Sequence, residues 1–399
     1  MEQQRETNFI DVTVLRVWAA VVGCLLILSW KLWLPVGDFP RVPVFELADE
    51  LTFVLQIAAT LVLIGGLAVT LFTPRNLKLA AAVIAGGFGL SFIYNQHCLQ
   101  PWAWQTFIIA TLLCCLPMRQ AKKWIAWLLV SIYIYSAIGK FDYQFVNTLG
   151  EQFLNVIYQW LGVAWDPQAP IKPWLVLMFP VGELLIGIGL IFRRTRRLAS
   201  VLAILLHIAL MAILSPLGLG HRWPVIVWNG LSIVLAWWLF LATDSINERS
   251  PQQKTLIQHL AVTFALVILF GPLLRPMQLW DHWLAWGLYS PSNSRVQLYL
   301  PDIARTKIRD DEVKKHFVDY DPLLGYTPNE PSRFALDKLS LDQLGVPIYP
   351  QARFQKAAAI KFLKQHGLLD LAVLYELGPS HPVTGERTRR KVELPFDDR

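Results

Sequence analysis

Pro180-Val181-Gly182-Glu183-Leu184-Leu185-Ile186-Gly187-Ile188-Gly189-Leu190-Ile191-Phe192-Arg193-Arg194-Thr195-Arg196-Arg197-Leu198-Ala199-Ser200-Val201-Leu202-Ala203-Ile204-Leu205-Leu206-His207 reads as two apolar helices joined by a basic turn. Glu183 and His207 each stand ten residues from the nearer end of the arginine run. At a rise of about 1.5 Å per residue both lie roughly 15 Å from that turn. This is near the midplane of a hydrocarbon layer roughly 30 Å thick. Ionisable groups at such depth are costly and mark functional sites by default. The spacing predicts an acid and a base facing each other in lipid. They form either a reactive pair or a protonated Glu hydrogen-bonded to a neutral His that ties two helices together.

The rest of the chain agrees with a membrane setting. Of its 399 residues 54% are apolar and only 16% charged, so the fold class is mainly α, a polytopic helical membrane bundle. All 17 tryptophans fall between Trp18 and Trp286, many at the ends of apolar runs where interfacial belts form. Apolar length predicts about nine transmembrane helices, near 12–34, 51–72, 79–95, 102–117, 122–139, 173–192, 198–214, 223–243 and 256–274. The even gaps carry Arg75 and Lys78, then Arg119, Lys122 and Lys123, then the arginine run, then Arg249 and Lys254. The first gap sets Asp38, Glu46, Asp49 and Glu50 against Arg41, the third has no formal charge, and the seventh has only Arg222. Basic loops face the cytoplasm, so the N-terminus is expected there, the C-terminal tail outside, and the protein in a bacterial inner membrane. The first span lacks a small-residue cleavage site after its apolar core and reads as a retained anchor.

Two domains are expected, a transmembrane part over 1–280 and a small α+β tail over 281–399. The tail predicts a strand at Val296–Leu300, a proline-broken stretch over Asp321–Pro350, a helix at Ala352–Gln365, and a hairpin pairing Leu371–Leu377 with Lys391–Leu394. The long fifth gap, 140–172, has an apolar rhythm through Phe153, Leu154, Ile157, Tyr158 and Leu161 that suits an interfacial helix, one placed to roof a cavity. Cys24, Cys98, Cys114 and Cys115 form no Cys-x-x-Cys pair, and the scattered histidines show no ligand spacing, so no metal site is expected. The net charge of +7 reflects loop bias and the basic run 387–391 and does not point to nucleic acid.

Further polar positions lie inside the apolar spans. Lys140, about 25 Å along its helix from Lys123, should sit just beneath the outer surface. A lysine there either snorkels to the interface or, desolvated, serves as a base. Tyr133 and Ser136 precede it by seven and four residues and share its face. Asp142 reads as a solvated loop acid, Asn229 as either a quinone-oxygen partner or a helix bridge, and Gly182, Gly187 and Gly189 as close-packing positions.

The segment Tyr133-Ile134-Tyr135-Ser136-Ala137-Ile138-Gly139-Lys140-Phe141-Asp142 resembles the stretch bearing the catalytic lysine of vitamin K-dependent gamma-glutamyl carboxylases. The likeness continues through Pro180 to Gly187, the span holding His207, and Trp286-Gly287-Leu288-Tyr289-Ser290-Pro291, over residues 10–295. The pattern resembles the horizontally transferred transmembrane (HTTM) domain shared by those carboxylases and many bacterial proteins. The resemblance implies a reduced naphthoquinone, menaquinol or vitamin K, as cofactor. With oxygen it furnishes the base that removes a peptide glutamate proton so that carbon dioxide adds. Lys140 and Asp142 match the lysine-bearing stretch, and the resemblance implies Lys140 as the base acting on the quinol. Beside it, Glu183 with His207 read as the other catalytic candidates, a proton path or structural support. Tyr133, Ser136 and Asn229 read as cofactor-binding candidates, Tyr133 and Ser136 as a cavity wall or equally a helix contact. The chain departs from the enzymes in its shorter tail and in having Gly139-Lys140 where they carry a lysine pair. Partners would be the bilayer, a quinone, and an extracytoplasmic protein or peptide met by the tail. Two other readings stand beside this one. The run Gly182 to Leu190 followed by arginines is similar to small DoxX and methylamine-utilisation membrane proteins, which implies a quinone-linked redox or maturation role. The other is a non-catalytic anchor or assembly subunit working through the tail.

Overall fold

The computed structural model describes residues 2–34, 36–45, 49–73, 76–164, 166, 168–242, 255–318 and 332–394. Arg75, Glu46, Trp165, Arg249, Lys254 and 321–331 of the proline-broken stretch lie outside the described residues. The helices of the apolar part are α1 (Glu2–Leu28), α2 (Trp30–Trp33), α3 (Asp49–Phe72), α4 (Leu77–Tyr94), α5 (Pro101–Cys115), α6 (Met118–Ile138), α7 (Tyr143–Val146), α8 (Leu149–Leu161), α9 (Lys172–Ile191), α10 (Arg196–Leu214), α11 (Trp223–Phe240) and α12 (Leu256–Phe270). Among the described residues seven helices are long and apolar enough to cross a membrane, and eight if the bent pair α6 and α8 counts as one span. The protein is therefore a multi-pass helical membrane protein. The expected count of nine is not reached among them: α5 has only 15 residues, and α6 makes a span only together with the segment Tyr143–Leu161, from which it is bent by 79°.

Within the bundle, each helix buries one stripe and turns the other outward. Leu185, Leu205 and Leu260 stay more than half exposed, a normal lipid-facing pattern for side chains with no aqueous alternative. Small residues set the closest approach. A Cβ at Gly187 would lie 2.9 Å from Ile134 Cγ1, so this glycine is what lets α9 meet α6 near Tyr133. Gly189 does the same against Ala199 of α10, whereas Gly182 has no neighbour in its Cβ direction and is not a packing position.

The two ends of the bundle differ in chemistry. At the basic end Arg196 donates to the carbonyls of Leu190 and Ile191, capping α9. Nearby, Lys122 meets Asp11 at 2.7 Å, and Trp238 Nε1 donates to the same carboxylate at 2.8 Å, tying α6, α1 and α11 together. At the other end the 3-10 turn Gly271–Met277 ends α12 and leads into the tail.

That tail folds as β1 (Arg295–Leu300), α13 (Ile303–Lys307), α14 (Asp311–Lys314), β2 (Phe317–Val318), β3 (Ser332–Phe334), α15 (Leu336–Leu344), α16 (Ala352–Gln365), β4 (Val373–Leu377) and β5 (Arg389–Val392). Its sheet is antiparallel, order β2-β3-β1-β4-β5, with Leu298 opposite Phe334 on one side and Leu374 on the other. The expected hairpin forms, but its second strand begins at Arg389, two residues before the expected Lys391. The expected proline-broken stretch also holds β3 and α15.

Every odd gap touches the tail. In the first, α2 packs on α15; in the third, His97 Nε2 donates to Pro347 O at 3.0 Å; in the fifth, Tyr143 N donates to Pro382 O at 2.7 Å; in the seventh, Arg222 pairs with Asp342 at 3.2 Å. The tail thus covers the end of the bundle opposite the arginine run. Trp286 is fully buried in one hydrophobic cluster that extends from Val14 to Val392.

His97 sits between the rings of Phe39 and Phe354, each with its centroid 5.2 Å away. Burial without a partner for its second nitrogen lowers its pKa from 6.5 to about 4. The unfolded chain binds the proton more tightly, so the stability from this joint is complete above pH 6.5 and lost as pH falls toward 4. The loss should reach roughly 3 kcal/mol. We expect the unfolding midpoint of wild type to fall more steeply across that window than the midpoint of His97→Gln. Parallel curves would show that His97 is not the titrating group.

Candidate functional site

Lys140 follows α6 in a tight turn, with Lys140 N bonded to Ala137 O and Phe141 N to Ile138 O. Side chains near a helix end lean back toward its N-terminus. Lys140 accordingly points into the bundle, where its Nζ donates to Ser136 Oγ at 2.7 Å and to Glu183 Oε2 at 2.5 Å. Glu183 stands on α9, which runs the opposite way, so its own lean brings it up toward the lysine. Lys140 is only 6% exposed, and a charged amine buried so deeply needs a counter-charge and a hydrogen-bond acceptor, both of which it has.

A second polar chain crosses three helices. Tyr133 OH lies 2.8 Å from His207 Nε2, His207 Nδ1 lies 2.8 Å from Asn229 Oδ1, and Asn229 Nδ2 donates to Val225 O at 2.8 Å. Because the Asn229 amide uses its N–H on Val225, its oxygen must accept, and Nδ1 must carry the proton. A neutral imidazole then accepts from Tyr133 at Nε2, so the chain has one direction, from Tyr133 through His207 to Asn229.

Both groups line one cavity of about 70 Å³. Gln105 and Trp228 close its side, with Trp228 Nε1 donating to Gln105 Oε1 at 2.7 Å. Phe145, Phe153, Leu288 and Tyr289 bound it as well, brought from α7, α8 and the segment entering the tail. Phe153 meets the expectation that the fifth-gap helix covers a cavity, and the left-handed Gly162 closes that helix at φ +65°. Trp286 and Tyr289 hold φ of +57° and +55°, a conformation costing about 1–3 kcal/mol each in a bulky residue. Burial raises the pKa of the Tyr289 phenol above its ordinary value, which keeps it a protonated donor. Ligand pockets of drug size run to roughly 300–1,000 Å³. The cavity has room for a few waters and is too small for a fused ring system.

The six residues singled out in the sequence, Tyr133, Ser136, Lys140, Glu183, His207 and Asn229, all line this cavity. Their pairing differs from the expectation in one respect. Glu183 bonds to Lys140, and both ring nitrogens of His207 are taken by Tyr133 and Asn229, so no Glu183–His207 bond forms. Asp142 is not a solvated loop acid. It is 8% exposed, its Oδ1 accepts the Phe145 N–H at 2.9 Å as the N-cap of α7, and Ser290 Oγ donates to its Oδ2 at 3.4 Å. Gln105 was missed, although a lone amide in a 15-residue apolar helix is the kind of intramembrane polar residue that signals such a site. Among the described residues no group of three or more His, Cys, Asp or Glu side chains is arranged for a metal ion. Comparison with protein-family models, curated proteins and solved structures finds no match for this chain.

Removing one partner of a buried ion pair strands the other charge. Lys140→Met and Glu183→Leu should each lower stability by about 3 kcal/mol. The double variant should lose clearly less than the sum. Chemical or thermal unfolding of the four proteins in one detergent measures this. Additive losses would mean that the two groups do not interact.

Proposed function

We propose that this protein is a membrane-embedded acid–base enzyme of the HTTM type, resembling the membrane part of vitamin K-dependent gamma-glutamyl carboxylases and using a reduced naphthoquinone such as menaquinol. The observation that carries the reading is the buried contact of Lys140 Nζ with Glu183 Oε2, on the wall of a cavity shared with Tyr133, His207 and Asn229. In this reading the chain crosses the membrane nine times, with α5 and α6 among the spans, the N-terminus cytoplasmic and the tail outside.

Lys140 and Glu183 hold one proton between two basic atoms, as ammonium with carboxylate or as amine with carboxylic acid. Either form has no net charge and accepts one further proton, ending as ammonium with carboxylic acid. The pair can therefore act as a base for a quinol hydroxyl, the positive charge it gains being balanced by the quinolate beside it. With its proton given to His207, the Tyr133 oxygen presents a lone pair on the same wall, suited to accept from a quinol hydroxyl. A bound reduced naphthoquinone, with molecular oxygen as co-reactant, would supply the strong base needed for carbon-acid chemistry on a peptide or small substrate. The acceptors of this site fit a quinol hydroxyl, whereas its volume of about 70 Å³ does not hold a naphthoquinone unless Phe153, Leu288 and Tyr289 move.

One observation favours a second reading. The polar atoms of the cluster satisfy each other around a water-sized space, as they would in a purely helix-joining role, so an anchor or assembly subunit is the competing proposal. Removing the tail is a poor discriminator, because Leu288 and Tyr289 line the cavity and Trp286 belongs to the common core.

Organic extraction and native mass spectrometry of wild type and Lys140→Ala decide between them. We expect menaquinone to be retained, or to rebind on addition, in wild type. In the folded, monodisperse fraction of Lys140→Ala its redox turnover should be abolished. No quinone in a well-folded wild type, even after adding it back, would overturn the enzyme reading in favour of the anchor.

A further inference from the structure

A second and larger cavity, about 550 Å³, opens at the tail-side end of α6 and α12. It is bounded by Gly139, Phe141 and Asp142 of the turn whose Lys140 faces the first cavity. Its size lies within the range of ligand sites. The lining has two characters. One wall is apolar and open to the surroundings, with Ile138 54%, Phe141 39% and Leu273 62% exposed where the spans reach the interface. The other carries Arg275 with a set of hydroxyls.

Arg275 has donors to spare. Its Nη2 donates to Ser290 Oγ at 3.3 Å and Ser292 Oγ at 3.2 Å, and among the described residues no carboxylate forms an ion pair with it. The nearest acid, Asp142, is engaged by the Phe145 amide and Ser290. The other charged groups in the lining have partners: Arg353 pairs with Asp281, and Glu376 with Arg390. Gly139 makes room for the guanidinium, since a Cβ there would lie 2.8 Å from Arg275 Nη1. Ser380, 7% exposed, borders the same cavity, and its hydroxyl has no partner among the described residues; nor has Trp280 Nε1.

A planar cation flanked by serine hydroxyls recognises an oxyanion. An exposed apolar wall beside it, at the depth where acyl chains meet headgroups, recognises a hydrocarbon chain. We propose that this cavity binds one anionic membrane lipid, with its phosphate on Arg275 and Ser292 and its acyl chain leaving along Ile138, Phe141 and Leu273. The site is independent of the reaction proposed for Lys140. It would hold the Gly139–Asp142 turn in place from the lipid side.

The test uses delipidated full-length protein titrated with phosphatidylglycerol, diacylglycerol or inorganic phosphate, read by thermal unfolding and native mass spectrometry. Phosphatidylglycerol should raise the unfolding midpoint and appear as one retained lipid, while diacylglycerol and phosphate should do neither at the same concentration. Arg275→Gln should weaken phosphatidylglycerol about tenfold, the usual scale for losing one charge-assisted contact. Ser292→Ala should weaken it less. Gly139→Ala, which displaces the guanidinium without removing its charge, should also weaken it. Equal effects of diacylglycerol and phosphatidylglycerol, or saturation by phosphate alone, would overturn the proposal. If Arg275→Gln does not fold, unchanged phosphatidylglycerol affinity in both Gly139→Ala and Ser292→Ala would overturn it as well.

Discussion

A lysine amine buried among apolar helices must be neutralised from within the protein, because lipid offers it neither water nor counter-ions. In this bundle that requirement is met by Glu183, with Ser136 as a second acceptor. Much of the surrounding geometry serves the contact. Gly187 allows α9 to approach α6, and the turn after Ile138 aims Lys140 inward. Asp142, spent on the N-cap of α7, fixes that turn from the tail side. The tail is fastened to the same end of the bundle through His97, Tyr143 and Asp281, so cavity, turn and sheet form one packed unit.

Two buried ion pairs among the described residues of the bundle have different surroundings. Lys122 and Asp11 lie at the basic end, where Trp238 adds an N–H to the carboxylate and its ring to the lysine, 5.1 Å from centroid to Nζ. That site has no share in the cavity and ties three helix ends together. Lys140 and Glu183 face open volume and a directed hydrogen-bond chain. The same residue types thus tie helix ends together in one place and line a cavity in the other. The difference lies in what the second side of the pair touches.

Apolar length was enough to locate the helices of the bundle, and binary pattern located β1 and α16 of the tail. The short elements escaped for physical reasons. Ser332–Phe334 has one buried side chain in three, too few for a period of two to be visible. Arg389, Arg390 and Lys391 form an exposed charged edge strand, in which burial begins only at Val392. In the site, depth along each helix was readable, and it brought the six polar residues to neighbouring levels. The rotation of each helix about its axis was not readable, and rotation decides who meets whom. Depth alone paired Glu183 with His207, while the opposed lean of side chains on antiparallel α6 and α9 pairs it with Lys140. The roof was hidden too, since Leu288 and Tyr289 arrive from a segment more than a hundred residues beyond Glu183 in the chain.

The central claim is that the Lys140–Glu183 pair takes up a proton when a quinol binds. Infrared difference spectra of the reconstituted protein, recorded with and without menaquinol and assigned with Glu183→Gln, observe that carboxyl group directly. With the pair resting as ammonium and carboxylate, a protonated carboxylic-acid band should grow on quinol addition and be missing in Glu183→Gln and in Lys140→Ala. A Glu183 signal that does not change on saturation with menaquinol would contradict it.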